Sequence, residues 1–215
     1  MQYKETKEKT QKNFLILQKK FYKKNKDMIT EAIISMFTRY SCRAYTDKMP
    51  SDEALNLIAE AAIASPSTIN QQKWRIIVVK NRELIEAMEA EGMKFLSEQV
   101  DRGSYDRIMS RGGKMLYNAP CMIIVPIDKT ESNGYEMIDL GIVVENIALA
   151  AASLGINNVI CGMISNCFAG TRSEEFKQRL GFPKGFEIGL AVLLGYAEKQ
   201  GQPHELDYSK ISFIE

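Results

Sequence analysis

Apolar residues repeat at intervals of three and four positions through much of the chain, the spacing of helices that bury one face. This pattern predicts helices over residues 3–26, 29–39, 51–65, 82–100, 104–116, 137–154 and 173–180. Ser51 stands at the predicted start of one helix, where its side-chain oxygen would cap free backbone N–H groups. Pro66 follows the same helix, and a proline disfavours helical backbone at the residue before it.

Continuous apolar runs separate these helices and predict buried strands. The runs are residues 74–79, 121–127, 158–163 and 186–196, and a further strand is predicted over residues 211–214. Uninterrupted apolar strands are typical of sheets that are covered on both faces. The order of elements therefore favours a mixed α+β or α/β fold with one sheet surrounded by helices.

The predicted helix over residues 137–154 is apolar on nearly every side. A helix of that kind must be buried almost all round. We expect it to be either a central core helix or the seam of a dimer.

Charge is unevenly distributed along the chain, with an excess of lysine at the N-terminus. The 215 residues carry a formal net charge of +1, but residues 1–27 hold nine lysines and three acids. We expect a basic helical extension over residues 1–27 and one folded domain over residues 28–215. No apolar run reaches the ~20 residues of a membrane span. We therefore expect a cytoplasmic protein with no membrane or nucleic-acid partner.

Histidine and cysteine limit the possible chemistry. His204 is the only histidine, which excludes a histidine-rich metal site, so we predict no bound metal. The four cysteines form no CxxC pair and are expected to be free thiols. If the protein is an enzyme, a bound cofactor is the expected source of its chemistry, without a catalytic side chain.

Two polar clusters could bind such a cofactor. Arg39, Ser41 and Arg43 lie close together after a predicted helix, and guanidinium groups suit phosphate. Residues 65–74, SPSTINQQKW, join a helix to a strand, and their hydroxyls and carboxamides can hydrogen-bond a heterocycle. Each cluster alone is typical of an ordinary loop.

In this order and at this spacing, the two clusters resemble the FMN-dependent nitroreductase family. The segments DLGIVVENIALAAASLGI, RLGFP and AVLLGY also resemble its long dimer helix, a late helix end and its last core strand. The resemblance implies an α+β sandwich with a central, mainly antiparallel sheet flanked by helices. It also implies an intertwined homodimer with FMN at the interface, in which the C-terminal segment crosses to the partner.

The resemblance also implies roles for particular residues. Arg39 and Ser41, with Tyr40 between them, are expected at the FMN phosphate, and Arg43 near flavin N1 and O2. The partner's loop is expected to line the flavin, and a backbone N–H of the next segment to reach N5. Lys199 and His204 are the basic residues available near the C-terminus. The expected flavin-lining residues are Pro66, Ser67, Thr68, Asn70, Gln72, Cys161, Gly162 and Met163.

The function implied is an FMN-dependent oxidoreductase that takes hydride from NADH or NADPH and reduces a small nitroaromatic or quinone. Two alternatives stay open. One is a BluB-like enzyme of the same superfamily, which cleaves its own flavin to make dimethylbenzimidazole. The other is a flavin-binding dimer without catalysis.

Overall fold

The computed structural model describes residues 30–130 and 134–215. Residues 38–215 form one compact unit. The predicted basic helix over residues 3–26 lies outside the described residues. Helix α1, Glu31–Thr38, begins the described part of the chain.

Four strands form one antiparallel sheet in the order β1-β2-β4-β3. They are β1, Ile77–Val79, β2, Cys121–Asp128, β3, Asn157–Cys161, and β4, Phe186–Gly195. The two long strands pair in the centre, where Ile123 faces Val192, and a register shift follows at Val125 and Pro126. Proline has no N–H to donate, which suits it to such an irregularity. The predicted antiparallel α+β architecture is confirmed.

Side chains of the central strands alternate between two cores. Met122 and Ile124 of β2 point into one core, whereas Cys121 and Ile123 point into the other. This period-two alternation with both faces buried explains why the strands are uninterrupted apolar runs.

Helices cover both faces. One core is formed with α3, Arg82–Ser97, α4, Gly103–Met109, and α6, Ser173–Arg179. The other is formed with α2, Asp52–Ile63, and α5, Glu136–Ser153. Ser51 caps α2 as predicted, since its side chain accepts a hydrogen bond from the backbone N–H of Ala54 at 3.3 Å.

Several predicted boundaries were wrong. The strand over residues 74–79 is reduced to β1, because its ladder is interrupted opposite the irregularity at Val125 and Pro126. The helix over residues 82–100 ends at Ser97. The helix predicted over residues 104–116 ends at Met109. Gly112 and Gly113 follow with positive φ, which a helix cannot contain.

Two other strand predictions also need correction. The strand over residues 158–163 stops at Cys161, and Gly162–Phe168 forms a 3-10 helix instead. The side chains of Ser165 and Asn166 donate to the carbonyls of Gly162 and Met163, which stabilises this turn locally. The strand predicted over residues 211–214 is not present in the described chain. A short 3-10 helix, Tyr208–Lys210, precedes these residues.

Helix α5 is buried on one side only. Leu140, Val143 and Ile147 are fully buried, whereas Met137 and Ile138 are each 59% exposed. Of the two expectations for this helix, the central core helix was therefore wrong, and the seam of a dimer stays a prediction. Within the described residues, no helix is long and apolar enough to cross a bilayer.

Candidate cofactor site

The segment carrying Arg39 runs beside the start of β3. Ser41 forms a single parallel bridge with Asn158, and the backbone N–H of Cys42 donates to the carbonyl of Asn158 at 2.9 Å. The Tyr40 ring is buried, and its hydroxyl accepts a hydrogen bond from Asn157 Nδ2 at 3.2 Å. These contacts fix the backbone after Tyr40 and the position of the Tyr40 ring.

An open cavity of about 270 Å³ lies beside Arg39. The Arg39 side chain is mostly buried, and its Nε lies 3.9 Å from Glu145 Oε1 of α5. The lining residues include one arginine and three residues with carboxamides, and side chains of both kinds can donate to an anion. The residues lining it are Thr38, Arg39, Tyr40, Ala152, Gly155, Ile156, Asn157, Asn158 and Gln200.

The C-terminal segment reaches this cavity through residues that the sequence analysis did not single out. Asn157 Oδ1 accepts from the backbone N–H of Ala197 at 2.9 Å, which holds the segment after β4. Gln200 then lines the cavity. Gly201 follows, and a Cβ there would lie 2.3 Å from the Tyr40 ring, so only glycine fits.

Three basic residues that were predicted to contact the cofactor do not line this cavity. Lys199 and His204 are exposed and do not line it. Arg43 is also exposed, and it donates to the carbonyl of Ser41 at 3.3 Å. The prediction that these three side chains contact a cofactor stays a prediction.

The second cluster forms a strained loop over residues 67–72. Ile69, Asn70 and Gln72 all have positive φ, between 46° and 57°. This conformation costs an L-residue roughly 1–2 kcal/mol, and a β-branched residue such as Ile69 adopts it rarely. Gln72 N–H donates to Ser67 Oγ at 2.9 Å, and Gln72 Nε2 donates to Asn70 Oδ1 at 2.8 Å. Pro66, Asn70 and Gln72 are exposed, while Ser67 and Thr68 are half-buried.

Helix α5 anchors this loop through Asp139, another residue that the analysis missed. The Asp139 carboxylate accepts from the backbone N–H of Thr68 at 3.0 Å and from its hydroxyl at 3.1 Å. Further along, Asn146 Nδ2 donates to Ser65 Oγ at 2.8 Å. A polar residue inside an apolar helix was the sequence signal for both contacts.

The two clusters are not brought together within one chain. Asp139 holds the loop near the start of α5, and Ala152 lines the Arg39 cavity near its end. At 1.5 Å per helical residue, these two positions are about 20 Å apart along the axis.

The third predicted segment follows β3. Cys161 is buried, Met163 is half-buried, and Gly162 is exposed at the start of the 3-10 helix. Burial is the main cause that raises the pKa of the Cys161 thiol and that of the Cys167 thiol. Both thiols are therefore protonated near neutral pH, which is typical of buried cysteines without a reactive role.

The donors fit a phosphorylated heterocycle. Arg39 offers a largely buried cation to an anionic group at an open cavity, and the guanidinium geometry suits phosphate. The exposed carboxamides of Asn70 and Gln72 supply both donors and acceptors of the kind that read the edge of a ring.

Known proteins share this fold and sequence. The model of the Nitroreductase family matches residues 36–196. A protein of Archaeoglobus fulgidus described as an NADH dehydrogenase/NAD(P)H nitroreductase is 33% identical over 82% of this chain and 91% of its own. An FMN reductase [NAD(P)H] of Bacillus subtilis is 29% identical, over 73% of this chain and 61% of its own length.

A solved structure agrees with these matches. The crystal structure of a nitroreductase with bound FMN from Desulfitobacterium hafniense is 52% identical, with a TM-score of 0.84. The alignment covers 87% of this chain and all of that one. Together with the antiparallel sheet and the two polar clusters, these matches establish that the chain belongs to the nitroreductase family.

Proposed function

We propose that this chain is an FMN-dependent NAD(P)H oxidoreductase. Bound FMN would accept hydride from NADH or NADPH at N5 and pass the reducing equivalents to a small electron-poor acceptor, a nitroaromatic or a quinone. The relative of 52% identity was solved with FMN, and curated relatives are described as NAD(P)H nitroreductase and FMN reductase.

One observation carries the proposal: the R-x-S-x-R motif begins with an arginine that lines an open cavity. Arg39 would provide the positive charge for the phosphate there. Ser41, two residues further on and outside the cavity lining, would add a hydroxyl. Tyr40 is fixed by Asn157 and packs on Gly201, so it holds the C-terminal segment against the site. In this arrangement Gln200, Lys199 and His204 are the candidates that complete the phosphate contacts.

The other predicted residues bind the ring. Arg43 would hold positive charge beside flavin N1 and O2, where negative charge develops on reduction. The residues around Gly162, with Cys161 and Met163, would offer a backbone N–H to N5. Pro66, Ser67, Thr68, Asn70 and Gln72 would line the ring from the second copy.

We infer that the working form is a homodimer. The cavity at Arg39 and the loop at Asp139 lie at opposite ends of α5, so a second copy is needed to bring one of each together. Met137 and Ile138 leave apolar surface exposed beside the loop, as expected of an interface. Residues 28–215 form the FMN-binding domain in this proposal, and residues 1–27 form an extension to it.

The proposal is tested by the visible spectrum of the purified protein under anaerobic conditions, before and after NADPH or NADH is added. We expect flavin absorption that bleaches with reduced nicotinamide and returns when menadione or a nitroaromatic is added. A protein that shows no flavin absorption even after incubation with FMN would contradict the proposal.

Two other outcomes favour the alternatives. Flavin that stays oxidised with both nicotinamides supports a flavin-binding dimer without catalysis. Loss of the flavin spectrum in the presence of oxygen, with dimethylbenzimidazole as the product, supports the BluB-like activity.

A further inference from the structure

The loop over residues 67–72 keeps a conformation that its own sequence disfavours. None of its three residues with positive φ is a glycine, and the Ile69 side chain is 83% exposed. Burial of apolar surface therefore does not stabilise the shape of this loop. Some other interaction must hold it.

Hydrogen bonds hold it: Gln72 N–H donates to Ser67 Oγ within the loop, and Asp139 of α5 anchors the loop from outside. Asp139 is 6% exposed, and its carboxylate accepts hydrogen bonds from Thr68 N and Thr68 Oγ1, at the residue directly before the left-handed stretch. Asp139 lies in α5, which is packed in the core through Leu140 and Val143. The carboxylate thus ties the start of the loop to a rigid element.

After Thr68 the chain turns through Ile69 so that Asn70 and Gln72 stand side by side, joined by a hydrogen bond of 2.8 Å. Both carboxamides are exposed. The described residues show no core contact that this geometry serves, so its use lies at the surface.

We propose that Asp139 is a positioning residue for the cofactor: it holds the loop over residues 67–72 in the one shape that presents Asn70 and Gln72 to the flavin ring. This inference rests on the proposed function. Asp139 itself does not touch the cofactor. It lowers the cost of binding because the loop is ordered before the cofactor arrives.

The test compares two carboxylates in the same chain. Asp139→Asn and Asp139→Ala remove part or all of the anchor of this loop. Glu89→Gln is the matched control, because Glu89 is another buried carboxylate that accepts from a backbone N–H, that of Leu116, before residues with positive φ. Each apoprotein is titrated with FMN while flavin fluorescence is followed, and its thermal midpoint is measured without FMN.

We expect the Kd for FMN to rise at least tenfold in Asp139→Ala and about threefold or more in Asp139→Asn, which keeps one acceptor oxygen. The bound-flavin absorption band should shift toward that of free FMN in both. Glu89→Gln should lower the thermal midpoint and leave the Kd within threefold of the wild type.

Asp139 variants with a lowered thermal midpoint but a wild-type Kd and spectrum would overturn the inference, because a merely structural anchor behaves in that way. If Asp139→Ala does not fold, Asp139→Asn decides the matter by the same criterion. A wild-type apoprotein that does not bind FMN contradicts the proposed function itself, which separates that failure from a failure of the role of Asp139.

Discussion

Two loops of this chain hold non-glycine residues in the left-handed conformation, and each is tied to a helix by a buried carboxylate. The first covers residues 67–72 and is held by Asp139 of α5. The second covers residues 114–120, with Tyr117 and Asn118 at φ of 56° and 57°, and is held by Glu89 of α3. We call them the Asp139 loop and the Glu89 turn.

Their surroundings differ. The Glu89 turn leads directly into β2, and its residues Met115, Leu116 and Ala119 are buried in a core. The Asp139 loop has no buried apolar side chain between residues 67 and 72. The strained backbone of the turn is therefore compensated by burial of apolar side chains as well as by a hydrogen bond, whereas that of the loop is compensated only by hydrogen bonds.

The contrast shows that backbone strain alone does not distinguish a binding loop from a turn that belongs to the fold. Positive φ at non-glycine residues occurs at functional sites but does not identify one. The core contacts of the Glu89 turn explain it as part of the fold. The exposed carboxamides of the Asp139 loop have no such explanation and fit a binding surface.

The largest effect on stability is expected from Glu89→Ala. Glu89 is 7% exposed, and its Oε1 accepts from the backbone N–H of Leu116 at 2.6 Å. Removal of the carboxylate leaves a buried donor without a partner, which costs about 2–3 kcal/mol of unfolding free energy. Urea unfolding measures the loss, and an unchanged free energy would show that the turn does not depend on its anchor.

The next prediction tests whether the Asp139 loop shares a cofactor site with Arg39 of its own chain or with Arg39 of the second copy. Arg39→Ala and Asn70→Ala are placed in separate chains, and the two chains are assembled into a mixed dimer. If each site combines Arg39 of one copy with Asn70 of the other, one of the two sites is intact. We expect one FMN at wild-type affinity per mixed dimer and at least tenfold weaker binding, about 1.4 kcal/mol, in either pure variant dimer.

The matched control carries both substitutions in one chain, paired with a wild-type chain. Both sites of that dimer are then defective, so no FMN should bind at wild-type affinity. The reverse result, an intact site in the control and none in the mixed dimer, would show that each site is built within one chain.

The smallest expected effect is on the pH dependence of stability, through Cys167 in the core that contains the Glu89 turn. Burial raises the pKa of the Cys167 thiol, and the charges of Cys161 and Glu89 raise it further. In the unfolded chain this thiol loses its proton near pH 9, while the folded chain keeps it. Folding is therefore favoured by the protonated thiol below pH 9, and that contribution is lost as pH rises above 9.

Between pH 8 and pH 10, we expect the unfolding free energy of Cys167→Ala to fall by about 1 kcal/mol less than that of the wild type. Unfolding by urea with a reducing agent at several pH values measures the two curves. Parallel curves would mean that the Cys167 thiol ionises equally in both states.

The site was only partly predictable from the sequence. The R-x-S-x-R motif and the loop before β1 are local in sequence, so Arg39, Ser41 and Asn70 could be selected by residue type and spacing. Asn157, Asp139 and Gln200 contribute through contacts with residues that are distant in the chain. A single sequence without its fold does not pair such residues.

The strands show the same limit. The run over residues 74–79 is apolar throughout, but only Ile77–Val79 forms a strand, because the register shift at Pro126 lies in its neighbour. Local propensity predicts that a segment is extended, whereas its partner decides where pairing stops.

The central sheet, the helices that cover it and the family could be predicted from consecutive residues, because period-two patterns, helical patterns and the two motifs are all local in the chain. The folded chain was needed to show that α5 buries one side and leaves the other open, and that the two motifs lie at opposite ends of it. Burial and long-range hydrogen bonds depend on which distant segments meet, and no local stretch of residues specifies that.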